Sequence, residues 1–78
     1  MYLYELYYGD YTEEFNCILS NDKKYSKEEY NGLIKIYEKK LHKKYDGQYG
    51  VNWTAFGEEM RDILVDKYNF KHVNVIKM

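Results

Sequence analysis

Residues 2–8 read Tyr2-Leu3-Tyr4-Glu5-Leu6-Tyr7-Tyr8, and residues 14–20 read Glu14-Phe15-Asn16-Cys17-Ile18-Leu19-Ser20. The first run is dense in aromatic residues, which favour the extended backbone of a strand. The second alternates Phe15, Cys17 and Leu19 against Glu14, Asn16 and Ser20, the period of two of a half-buried strand. Between them Gly9-Asp10-Tyr11-Thr12 supplies turn chemistry. Together they predict an antiparallel hairpin, closed by Asn21-Asp22. Within the first strand the period of two places Tyr2, Tyr4, Leu6 and Tyr8 on one face, and Leu3, Glu5 and Tyr7 on the other.

Downstream of the hairpin the period changes to that of a helix. Ser26-Lys27-Glu28-Glu29 forms a capping-box pattern, in which the serine oxygen accepts from the backbone three residues on and Glu29 reaches back. Tyr30, Leu33, Ile34, Tyr37 and Leu41 then fall on one stripe, predicting a helix over 27–44. Gly32 interrupts it at a cost of about 1 kcal/mol relative to alanine, which suggests a close packing contact there. Asp46-Gly47-Gln48-Tyr49-Gly50 reads as a loop. Asn52 is a good N-cap for a second helix, with Val51 and Phe56 placed for a hydrophobic staple. The stripe of this helix is Trp53, Phe56, Met60, Ile63, Leu64 and Tyr68, and Asn69 is suited to end it in a left-handed turn. The tail, residues 70–78, returns to strand-forming types. The expected order is β-β-α-α-β: an α+β domain over residues 1–78, with a small antiparallel sheet and two helices on one face. The pairing partner of the last strand is left open.

Composition narrows the function classes. The chain has 78 residues, a formal charge of −1, 11 tyrosines and one cysteine. It is too short for a second core, and no run approaches the roughly 18–20 apolar residues of a membrane helix. Met1-Tyr2-Leu3-Tyr4-Glu5 has neither the basic start nor the apolar run of a secretory signal. A lone Cys17 forms no internal disulfide and no CxxC metal site, which fits a reducing compartment, the cytoplasm.

Catalytic constellations fail one by one. Cys17 lies on the apolar face of its strand pattern, where free cysteine behaves as a small hydrophobe, and nothing in the pattern brings His42 or His72 to it. Glu58, Asp62 and Asp66 share a helix face, but hard-cation sites gather ligands from several directions, and an exposed face explains the row. No phosphate-cradling glycine loop is present. The expectation is a non-enzyme without cofactor or metal.

Charge, neutral in total, is segregated along the chain. Residues 1–22 carry −5, residues 23–45 +5, residues 46–68 −3 and residues 69–78 +2. Lys35, Lys39, Lys40, Lys43 and Lys44 make the first helix basic, offering a contact for nucleic acid or an acidic protein surface. Equally, lysines near a helix C-terminus oppose its dipole and form an ordinary solvated face. The single arginine, Arg61, lies on the acidic second helix, against the arginine use of nucleic-acid readers.

The tyrosines point elsewhere. A first strand aromatic on both faces cannot have both under two helices, so one face meets solvent or a partner. Tyrosine offers a large ring at low entropic cost with a hydroxyl that tolerates water, and is enriched at binding surfaces. The candidate partner-binding set is Tyr2, Tyr4, Tyr7, Tyr8 and Tyr11 with the hairpin acids Glu13 and Glu14.

In brevity, tyrosine-rich strands, segregated charge and absence of a catalytic set, the chain resembles in type the small accessory proteins of phages and mobile elements in AT-rich bacteria, anti-CRISPR proteins among them. That resemblance rests on no motif and transfers no residue. It implies a stoichiometric inhibitor or modulator of a host defence or nucleic-acid-handling protein. Two further readings stand beside it: a nucleic-acid-binding domain using the lysine-rich helix, with tyrosine stacking, and a homodimeric structural or interaction protein.

Overall fold

A computed structural model describes residues 1–73. Strands β1 (Tyr2–Gly9) and β2 (Glu14–Asn21) form the hairpin, in the register Leu6 opposite Cys17. Helix α1 (Lys27–Tyr45) follows, then the two-residue strands β3 (Asp46–Gly47) and β4 (Gly50–Val51), helix α2 (Trp53–Tyr68) and strand β5 (Lys71–Val73). The main sheet has the order β1-β2-β5, antiparallel throughout. The last strand therefore pairs with β2 and leaves β1 at an edge. Residues 74–78 of the expected strand lie outside the described residues.

Each junction is set by side-chain chemistry. Asp10 Oδ1 accepts from the backbone N–H of Thr12 (2.9 Å), that of Glu13 (3.2 Å) and the Thr12 hydroxyl (2.9 Å), so the hairpin turns at 10–13. Asn21 does not close the hairpin: it lies within β2, buried, with Nδ2 donating to the Tyr68 carbonyl at 2.9 Å and Oδ1 accepting from Lys23 N–H. It ties the end of α2 to the sheet. The capping box is formed at Ser26 and Glu29. Asn52 Oδ1 caps α2 through Ala55 N–H, and Asn69 ends it in the left-handed region at φ 61°. Phe70 N–H then returns to the Leu64 carbonyl at 3.2 Å, and the chain reversal delivers the Phe70 ring into the core.

The core consists of Leu6, Cys17 and Leu19 from the sheet, Tyr30 and Leu41 from α1, Phe56, Met60 and Leu64 from α2, and Phe70. Helix α2 packs directly on the face of the sheet that carries Leu6 and Leu19, and α1 packs chiefly against α2, with Tyr30 reaching the edge of β1. A fully buried Leu, Phe or Met side chain contributes about 1.5–3 kcal/mol by leaving water, so these few residues dominate cohesion. The tight contact is at Gly57, not Gly32. The Phe15 ring lies where a Gly57 Cβ would be, whereas a Cβ at Gly32 meets nothing within 4 Å. That close approach lets α2 settle against β2. The expected loop 46–50 is a minimal β3–β4 hairpin.

Candidate functional site

β1 distributes its side chains over two environments. Leu6 is buried, while Tyr4 and Tyr8 are half-buried against the helices. Tyr4 packs against the rings of Tyr25, Tyr30 and Phe70 at centroid distances of 6.0, 5.0 and 5.4 Å. Its hydroxyl accepts from Tyr25 N–H at 2.7 Å and donates to the Lys23 carbonyl at 3.1 Å. Tyr8 stacks on Trp53, with centroids 5.8 Å apart and planes 4° from parallel, and touches Phe56. Burial, reinforced by the Glu38 carboxylate, raises the Tyr8 hydroxyl pKa. These two tyrosines leave the partner-binding set, because the helices already use their rings.

Glu13 is also used internally. Its carboxylate accepts from Thr54 N–H in the first turn of α2, and Asp10 Oδ2 accepts from Trp53 Nε1 at 3.0 Å. The hairpin turn thereby clasps the positive end of the α2 dipole. Hydrogen bonds from Thr54 hold Glu13 below the ordinary carboxylate range, and those from Thr12 do the same for Asp10.

What remains exposed lies on the other face of β1 and at its ends. Leu3 is 61% exposed and Tyr7 50%, on the sheet face away from the helices, with Glu5 between them. Across the ladder they meet Ser20, Ile18 and Asn16 of β2, and Ile18 in turn pairs with Val73. The Glu14 carboxylate, with a smaller contribution from Glu5, pushes the Tyr7 hydroxyl pKa upward. Tyr2 is 43% exposed, and Tyr11 in the turn is fully exposed. The structure thus joins Tyr7, Glu14 and Leu3 into one outward face, flanked by Tyr2 and Tyr11. Leu3 and Ile18 were missed as candidates; the period of two that places them outward was the available signal.

The lysines do not act as one group. Lys44 is held by Glu59 at 2.6 Å, and Tyr45 donates to the same Glu59 oxygen. Lys35 lines a groove beside β1. Lys39, Lys40 and Lys43 are exposed, and among the described residues none of them forms an ion pair.

Cys17 is buried, and desolvation raises its thiol pKa, partly offset by Arg61. His42 packs edge-on against Trp53 and Phe56, with Nδ1 2.9 Å from Asp46 Oδ1. Among the described residues no three His, Cys, Asp or Glu side chains converge to hold a metal ion, and no helix is long and apolar enough to cross a membrane. Comparison with protein-family models, curated proteins and solved structures finds no match to this chain.

Proposed function

We propose that this chain is a small non-enzymatic protein-binding module, encoded by a phage or mobile element and acting as a stoichiometric inhibitor or modulator of a host defence or nucleic-acid-handling protein. The observation that carries the reading is the outward face of β1. Leu3 and Tyr7 stand exposed on a sheet whose other face supplies the whole sheet contribution to the core. Aromatic and aliphatic side chains displayed on one sheet face, with the Glu5 carboxylate between them and Glu14 beside Tyr7, form the kind of surface that anchors a partner. The origin and target belong to the resemblance in type, not to the geometry.

Affinity capture from a bacterial lysate, read by quantitative mass spectrometry, tests it. The wild-type chain should retain a specific protein at 1:1 stoichiometry, insensitive to nuclease, and Leu3→Ser/Tyr7→Ser should lose it. Retention abolished by nuclease or by Lys39→Glu/Lys40→Glu/Lys43→Glu, with the β1 variant unaffected, would replace this reading with nucleic-acid binding.

A further inference from the structure

The free edge of β1 is a second feature of the same strand. Asp10 N–H donates to the Glu13 carbonyl at 3.0 Å, which continues the β1–β2 register and marks the even-numbered residues of β1 as those bonded to β2. The backbone groups of Leu3, Glu5 and Tyr7 consequently point to the open edge. Tyr30 confirms the direction, since its hydroxyl reaches round from α1 to donate to the Glu5 carbonyl at 3.0 Å. No other side chain among the described residues bonds to these groups.

Beside this edge runs a groove of about 310 Å³, with Glu5 to Tyr8 as one wall and Ile34, Lys35 and Glu38 of α1 in the other. Behind this wall the Tyr8 hydroxyl is buried beside the Glu38 carboxylate. Exposed edges are normally blunted by charged side chains, proline, a bulge, a short strand or a covering helix or loop. Here Glu5 is the one charge on the strand, and α1 covers the edge at the Glu5 carbonyl through Tyr30. The edge beside Leu3 and Tyr7 is left without such a bond among the described residues. β1 is eight residues long, with neither lysine nor proline, and pairs with β2 without a bulge.

We propose that the β1 edge takes an extended segment of a partner protein as a fourth strand, with an arginine or lysine of that segment opposite Tyr7, its side chain on the outer face beside Glu5. The proposal rests on the protein-binding reading and names its mode. Backbone pairing fixes the occupant as an extended chain. A residue opposite Tyr7 sends its side chain to the outer face, where the Tyr7 ring and the Glu5 carboxylate suit a cation, with Glu14 further across the sheet on β2. Its two neighbours point into the groove, toward Ile34 of α1, and β-branched residues there suit an added strand. A second copy is the weaker occupant, because its own β1 would bring the same carboxylates rather than their complement.

The test is an NMR titration of the full chain with the peptide acetyl-TVTRVTV-amide, its arginine-to-glutamate counterpart, and a version N-methylated at the arginine. Amide shifts should concentrate at residues 3–9 and 34–38. The glutamate peptide should bind more weakly by on the order of tenfold or more, N-methylation should abolish binding, and Glu5→Gln/Glu14→Gln should weaken it several-fold. Equal affinity for the arginine and glutamate peptides, binding that survives N-methylation, or no shift in β1 overturns the proposal. So does a concentration-dependent shift of the same amides without peptide, which identifies a second copy. If the edge proposal fails while Leu3→Ser/Tyr7→Ser still abolishes capture, the protein-binding reading stands; if capture itself fails, that reading falls first.

Discussion

Gly57 and Gly32 sit on the two helices, and the same substitution should act oppositely at them. An added methyl at Gly57 overlaps the Phe15 ring, so Gly57→Ala should destabilise by about 1–3 kcal/mol as the ring or helix shifts. Gly32→Ala adds a methyl in open space on an exposed helix position and should stabilise by up to about 1 kcal/mol. Urea unfolding at equilibrium checks both, and equal effects would contradict the packing described. Tyr4 offers a third test. Tyr4→Phe keeps the ring but strands Tyr25 N–H and the Lys23 carbonyl, for a loss of about 1 kcal/mol. The sequence shows why these assignments were only partly legible. Alternation sorts the faces of β1, and does so correctly. It cannot say which face the helices will cover, because tyrosine is acceptable to both, and Tyr4 and Tyr8 were therefore read as available when their rings are in use. Gly57 gives no local signal either, since its role depends on a ring 42 positions earlier in the chain.

At the scale of elements, the clasp between the hairpin turn and α2 predicts acid sensitivity. Glu13 and Asp10 have folded pKa values below their ordinary ones. Their contribution is therefore complete above the unfolded values, near about 4, and is lost as pH falls through the lower folded values. The urea midpoint of the wild type should fall between about pH 5 and pH 2. Glu13→Gln should start lower at neutral pH and fall less over that range; parallel curves would show that the Glu13–Thr54 contact contributes nothing in solution. Helix boundaries were legible because capping is local: Ser26 with Glu29, Asn52 and Asn69 all act where their spacing placed them. The clasp was not, because it joins positions 10 and 13 to 53 and 54, and a pattern along the chain carries no record of contacts across it.

For the whole molecule, the sheet order decides where a partner can bind. With β5 against β2, β1 is left as an eight-residue strand at the sheet edge, and its outward face carries Leu3, Glu5 and Tyr7. The sequence left that pairing open, since strand order follows from how α2 and its left-handed exit at Asn69 return the chain to the sheet. The charge segregation read along the chain is partly absorbed internally, through Lys44 with Glu59, while Glu5 and Glu14 remain outside on the sheet. The central claim is that the outward residues of β1 serve binding and not folding. Its most direct measurement is partner retention at matched stability, comparing Leu3→Ser/Tyr7→Ser with the wild type in one capture experiment alongside urea unfolding. The prediction is loss of the retained protein with stability changed by no more than about 0.5 kcal/mol, the range of ordinary surface substitutions. Unfolding of the double variant, or undiminished retention by a folded one, would contradict the claim.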